Sequence, residues 1–153
     1  MEHLFEVLAR SADDQERRRI LKEHPELRSS GSVRALLSRA AGAPGGDAAP
    51  VLDAALTLAR TLDPGDQAEA LLAVAHLLFR RARYAEAEEL YGEAGQLAVG
   101  RGQAELEFEA TLRRIDCLGA RGQARAGLTL AEELEPRLAG RDRHLALLWT
   151  ARG

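Results

Sequence analysis

The chain has 153 residues, of which 46% are hydrophobic and 29% charged, and its formal net charge is −3. This balance leaves no excess of basic groups to follow a phosphate backbone, so we expect no nucleic-acid partner. No stretch approaches the roughly 18 apolar residues of a membrane span, so we expect no membrane contact. Cys117 is the only cysteine, which excludes an internal disulfide bond.

The composition favours helices packed on helices. Ala, Leu, Glu and Arg, all good helix formers, dominate, whereas aromatic residues make up only 4%. We therefore predict an all-α fold. Lys22 is the only lysine among the 21 basic residues, and together with the many Ala and Gly residues this is typical of GC-rich bacterial coding. The N-terminus does not resemble a signal peptide, so we expect a cytoplasmic location.

The first predicted element is an N-terminal helical segment over residues 1–41. A short amphipathic helix covers about 2–10. A second, which Ser11 or Asp13 can cap, runs to about residue 23 and ends before Pro25, since a residue before proline disfavours the helical region. A third helix restarts at residues 30–32.

The sequence GAPGGDAAP over residues 42–50 is the richest Gly/Pro stretch and predicts a linker or long turn. A helix follows over about 50–62. Asp-Pro-Gly-Asp at 63–66 predicts a turn, in which Asp66 can cap the next helix. The remaining predicted helices cover about 67–81, 84–99, 104–120 and 123–138, with a last one from about 143.

One stretch carries a recognisable repeat pattern. Residues 83–98 read RYAEAEELYGEAGQLA, with Tyr84, Ala87, Tyr91 and Ala94 in the order aromatic, small, aromatic, small. Small residues let two helices approach closely, and the large one fills the gap between neighbouring units. This stretch resembles the second helix of a tetratricopeptide repeat.

The flanking helices extend the resemblance. At the positions where the family usually has large, Leu, small and large residues, the preceding helix has Leu71, Val74, Ala75 and Leu78. A weaker copy of the repeat pattern lies 40 residues further along the chain. It has Gly127 at the close-packing position, but Arg114 stands where an apolar residue is expected. The resemblance implies tetratricopeptide-like repeats over 51–153, with the last unit incomplete, stacked as a short right-handed α-α superhelix. An irregular helical bundle is the alternative.

The last predicted helix has an open apolar face. It contains Leu145, Leu147, Leu148 and Trp149, and it reads as the first half of a unit. We expect either that the chain is the N-terminal part of a longer array or that this helix forms a homo-oligomer contact. Residues 13–37 also resemble the leader of tetratricopeptide arrays in bacterial multidomain proteins, some of which end in a CHAT-type, caspase-like protease domain.

The residues with catalytic or ligating potential are scattered. The four histidines show no metal-ligand spacing, and no phosphate-binding loop or nucleophile elbow occurs. Cys117 with His76 is the one conceivable nucleophile and base, and a thiol in an Ala/Leu helix is usually a small core residue. We therefore predict no enzyme activity, no metal and no cofactor.

The family's register also implies where a partner would bind, because the first helix of each unit lines a concave face. The positions that match are Glu69, Leu72, His76, Phe79 and Arg80 in one unit, and Glu109, Leu112 and Asp116 in the next. The expected function is non-catalytic binding of a peptide or protein there. The alternative for Phe79 is that its side chain packs in the protein interior and does not contact a partner. The alternative functions are a regulatory or sensing domain of a larger enzyme, such as a CHAT-type protease, and a structural oligomerisation domain.

Overall fold

The computed structural model describes residues 1–152, apart from the side chains of His144, Ala151 and Arg152. Within that range every regular element is helical, which confirms the predicted all-α class. The α-helices are α1 (Glu2–Arg10), α2 (Asp14–Glu23), α3 (Ser30–Gly42), α4 (Ala48–Arg60), α5 (Pro64–Arg80), α6 (Tyr84–Gly100), α7 (Ala104–Ala120), α8 (Ala124–Leu134) and α9 (Asp142–Arg152). Short 3₁₀ helices cover Pro25–Leu27, Gly45–Asp47 and Glu135–Leu138.

Side-chain caps begin two of the N-terminal helices. Asp13 precedes α2, and its Oδ1 accepts a hydrogen bond from the Glu16 backbone N–H at 2.8 Å. Ser29 precedes α3, and its Oγ accepts from the Ser32 backbone N–H at 3.1 Å. Each cap satisfies a first-turn donor that has no partner within its helix.

Helix α5 begins earlier than the sequence indicates. The Asp-Pro-Gly-Asp stretch forms its first turn, with Pro64 at the first helical position. The backbone N–H groups of Asp66 and Gln67 donate to the Asp63 carbonyl at 2.9 and 3.2 Å. Proline suits this position because its φ is helical and its missing N–H would have no partner there.

The chain divides into two compact units, and the first, Met1–Leu77, is organised around α4. Helices α1, α2 and α3 all pack on α4. The buried Arg17 stabilises the end of α1, because its Nε and Nη2 donate to the carbonyls of Leu8 and Ser11 at 3.3 and 3.2 Å. The predicted linker at 42–50 holds the last residue of α3, the 3₁₀ turn Gly45–Asp47 and the start of α4.

The second unit, Leu78–Gly153, is organised around α7. Helix α7 packs on α6, α8 and α9, and α9 also contacts α8 and the 3₁₀ helix Glu135–Leu138. One core joins α7, α8 and α9, and its buried members are Phe108, Leu112, Ile115, Ala131, Leu134, Leu138 and Leu148.

Helices and turns recur at a constant interval from α5 to α8. The helices begin at residues 64, 84, 104 and 124, and the first three end at 80, 100 and 120. Each of the three turns between them contains one left-handed residue: Ala82 (φ 60°), Gly102 (φ 65°) and Gly122 (φ 74°). In each turn the next residue's N–H bonds back to the helix, as from Gln103 to Ala98 at 2.9 Å. This pattern closes a helix end with its own backbone.

The residues that carry the repeat pattern are largely interior. Ala87 and Tyr91 are fully buried and Ala94 is 2% exposed, while Tyr84 is half-buried. Burial raises the pKa of the Tyr91 hydroxyl well above its usual range. The stacking of such pairs as a right-handed superhelix stays a prediction.

Arg114, which departs from the repeat pattern, has a local explanation. Its Nη2 lies 3.6 Å from Oε1 of Glu88 on α6, and Arg121 pairs with the same carboxylate. A Cβ at Gly92 would lie 3.7 Å from Arg114 Nε, so the guanidinium lies close to a helix surface that has no side chain. Glycine at 92 and a half-buried glutamate at 88 thus let arginine occupy a position where the repeat usually has an apolar residue.

Candidate partner-binding groove

A concave pocket of about 380 Å³ lies between α7 and α9, within the second unit. Its volume is in the range of small-ligand and peptide-anchor sites. Its walls come from two stripes of side chains, one on each helix: Glu105, Glu109, Leu112, Arg113 and Asp116 on α7, and Arg143, Leu147 and Thr150 on α9. We call this pocket the α7–α9 groove.

The two walls differ in chemistry. Glu105, Glu109 and Asp116 make the α7 wall mainly acidic, while the α9 wall presents one cation, one leucine and one hydroxyl. Leu112 is only 5% exposed, whereas Leu147 is 44% exposed. The exposed apolar surface of the groove therefore comes mainly from Leu147, and charged side chains of both signs surround it.

A cluster of charged and aromatic side chains holds the connection to α9 against α7. The guanidinium carbons of Arg137 and Arg141 lie 5.5 and 4.8 Å from the Phe108 ring centroid. Arg137 also pairs with Glu107, and Arg141 pairs with Glu105. We call these five residues the arginine clasp. Where they are solvent-exposed, cation–π contacts contribute about 0.5–1 kcal/mol each and ion pairs about 0–1 kcal/mol each.

The apolar face of α9 also packs against the core that α7, α8 and α9 share. Leu148 is fully buried in the shared core, and Leu145 packs against that core. Leu147 and Trp149 flank Leu148 in sequence and stay 44% and 60% exposed, because successive helical residues point about 100° apart. The predicted open apolar face of the last helix thus has one buried and one exposed side.

The three site residues predicted on α7 lie together. Glu109, Leu112 and Asp116 all line the groove. Asp116 accepts a hydrogen bond from Nη1 of Arg113 at 3.2 Å, and both side chains are partly exposed. Sequence reasoning missed Glu105, one turn before Glu109 on the same face, and it missed the whole α9 wall.

The five site residues predicted on α5 are Glu69, Leu72, His76, Phe79 and Arg80. Glu69 and Arg80 are exposed, and Leu72 is 5% exposed. His76 donates through Nδ1 to the Leu72 carbonyl at 2.7 Å. The half-buried Phe79 ring packs edge-on against Tyr84, with 5.2 Å between the ring centroids. Three of these residues, Glu69, Leu72 and His76, belong to the first unit, and Phe79 and Arg80 belong to the second.

Cys117 is poorly suited to nucleophilic chemistry. Its side chain is fully buried, and burial raises the pKa of its thiol to about 11. Because the thiolate is the nucleophile, almost none of the reactive form exists at neutral pH.

Metal-binding clusters and membrane spans are both absent from the described part of the chain. There, no three His, Cys, Asp or Glu side chains lie close enough together to hold a metal ion. No helix of residues 1–152 is both long and apolar enough to cross a membrane.

Comparison with known proteins adds no relative. No protein-family model, curated protein or solved structure matches the chain. Function is therefore inferred from the geometry of the groove.

Proposed function

We propose that this chain is a non-catalytic interaction module that binds a peptide, or a segment of a partner protein, in the α7–α9 groove. The observation that carries the proposal is the groove itself, a concave surface lined by two leucines, one threonine and five charged side chains. Such surfaces suit recognition of an extended or helical segment through a few anchoring side chains.

We also propose that α5 to α8 are helix pairs of the tetratricopeptide kind. Three features support this: the constant 20-residue interval of helix starts, the left-handed residue in each turn, and the buried small and aromatic residues of α6. In such an array, α7 and α9 would be the first helices of successive units, and first helices line the binding face.

Selection from a phage-displayed library of random 12-residue peptides tests the binding proposal and requires no identified partner. The most enriched peptide would be synthesised and titrated into the isotope-labelled chain. We expect shifts of amide resonances in α7 and α9. Failure to enrich any peptide, or shifts confined to other helices, would contradict the proposal.

A pair of leucines provides a matched control for the same peptide. Leu147 and Leu128 are 44% and 42% exposed, but only Leu147 lines the groove. Covering the exposed part of a leucine is worth about 1 kcal/mol. Leu147→Ser should therefore weaken binding about fivefold, and Leu128→Ser should not. Equal affinities of the two variants would exclude the α9 wall from the site.

The predicted contribution of α5 can be tested with the same peptide. Phe79→Ala combined with Arg80→Ala should weaken binding if the partner extends along the first helices beyond the groove. An unchanged affinity with an intact fold would restrict the site to α7 and α9.

A further inference from the structure

We infer that a cavity in the first unit binds a small zwitterion, namely a free amino acid with an aliphatic side chain. The inference goes beyond the proposed function, because it concerns a second site and a different class of ligand. It follows from four charged side chains that line this cavity without forming ion pairs.

The cavity lies beside the start of α4, on which α1 and α2 both pack. Its volume is about 730 Å³, which is in the range of small-molecule sites. Its lining includes two cations and two anions, and these come from opposite sides: Arg10 and Arg17 from α1 and α2, and Asp47 and Asp53 from the start of α4. We call this site the α4 cavity.

Arg17 carries the most deeply buried of these charges. It is only 9% exposed, and its Nε and Nη2 donate to two backbone carbonyls at the end of α1. Asp14 lies one turn earlier on α2 but interacts with Arg17 only through space. The Asp14 carboxylate accepts instead from Thr57 Oγ1 and from Arg18 Nε, each at 2.6 Å. Neutral carbonyls bind some of the guanidinium donors but leave the buried charge without a counter-ion.

The other three charged side chains of the cavity are exposed. Among the described residues none of them forms an ion pair, whereas Arg18 pairs with Asp14 in the same unit. Asp47 precedes α4, yet its carboxylate makes no capping hydrogen bond. Because the cations and the anions of the cavity do not pair with one another either, a gap separates the two charged walls.

A ligand with both charges would complete both walls. At neutral pH a free amino acid has a carboxylate and an ammonium group close together. The carboxylate would accept from Nη1 of Arg17, which the two bonds to α1 do not use, and the ammonium would donate to Asp47 or Asp53. An anion alone would face two carboxylates, and a cation alone would face two guanidinium groups. Charge complementarity therefore selects a zwitterion.

Most of the remaining lining is apolar and small, so it leaves room for the ligand's side chain. These residues are Ala9, Ala12, Ala49, Pro50 and Val51. A surface of this kind suits an aliphatic side chain.

Titration of the isotope-labelled full chain with L-leucine tests the inference. We expect shifts of amide resonances in residues 9–12 and 46–53, which border the cavity. Two analogues of leucine serve as matched controls: isocaproate lacks the ammonium group, and isopentylamine lacks the carboxylate. Each should bind about tenfold more weakly or worse, because one charge-assisted contact is lost. Absence of leucine binding, or an analogue that binds as tightly as leucine, would overturn the inference.

A pair of double variants locates the effect, and it avoids Arg17 because that residue also stabilises the end of α1. Asp47→Asn with Asp53→Asn removes both carboxylates of the cavity, and asparagine suits the N-cap position. Asp66→Asn with Asp142→Asn removes two exposed carboxylates from the first turns of α5 and α9 and changes the net charge equally.

The cavity variant should bind leucine about tenfold more weakly and lose the preference for leucine over isocaproate. The control variant should change both affinities less than about twofold. Equal losses in the two variants would overturn the inference, because they would indicate general electrostatic attraction. Peptide binding in the α7–α9 groove is measured separately, so either result leaves the proposed function unaffected.

Discussion

Replacing Ala82 by glycine is expected to raise the free energy of unfolding, because Ala82 adopts a left-handed conformation that glycine adopts without steric cost. Its φ is 60°, and the corresponding turns have glycine at 102 and 122. The Ala82 side chain is exposed, so the substitution removes no core contact.

The magnitude follows from two opposing terms. The left-handed conformation costs an L-residue about 1–2 kcal/mol. Glycine loses more backbone freedom on folding, which offsets about 0.5–1 kcal/mol of that gain. The net stabilisation is therefore about 0.5–1 kcal/mol, or roughly 1–4 °C in melting temperature for a chain of this size.

Urea denaturation followed by circular dichroism measures the effect, with an unchanged slope as the condition for comparing variants. Gly122→Ala is the reverse control. Its φ is 74°, and a Cβ there would meet no atom within 4 Å, so any loss of stability comes from the backbone alone. We expect it to destabilise by about 1 kcal/mol. A destabilising Ala82→Gly together with a neutral Gly122→Ala would refute the left-handed assignment of these turns.

Three further predictions concern the second unit. Leu148→Ala should lower the free energy of unfolding by about 2–5 kcal/mol because it creates a cavity in the core, whereas Leu147→Ala next to it should change it by about 0.5 kcal/mol or less; urea titration compares the two. The Cys117 thiol should react with a chromogenic disulfide reagent only as the chain unfolds, since it is fully buried and its pKa is about 11; immediate labelling of the native chain would contradict this. Gly95→Ala should raise the free energy of unfolding by about 0.5–1 kcal/mol, because alanine favours the helix and the added Cβ would make an ordinary contact, 3.6 Å from Ala110 Cβ. A lower melting temperature of this variant would show that α6 and α7 approach each other more closely.

Local signals in the sequence account for the helices well. Glycine and proline mark most helix ends, and the cap at Asp13 follows from its side-chain oxygen. The start of α5 differs from the prediction because Asp-Pro-Gly-Asp serves equally well as a free turn or as a first helical turn. These four residues alone do not distinguish the two conformations.

Only the α7 wall of the groove can be predicted from the sequence, because the two walls lie far apart along the chain. The α7 wall follows from the spacing of Glu109, Leu112 and Asp116 along one helix. The α9 wall requires knowing that Leu148 faces the core, which orients Leu147 toward α7. Nothing local distinguishes these two leucines, and their different burial is a property of packing.

The arginine clasp has a thermodynamic consequence for the groove. The wall that α9 provides packs on the core through Leu148 and Leu145, and the connection before it is held by partly exposed ion pairs and ring contacts, so we expect α9 to have low local stability. Any ligand that touches both walls binds only the docked form of α9. Occupancy of the groove and attachment of α9 are therefore linked equilibria. Rising salt should loosen α9 and weaken the ligand together, and the ligand should in turn slow tryptic cleavage after Arg143.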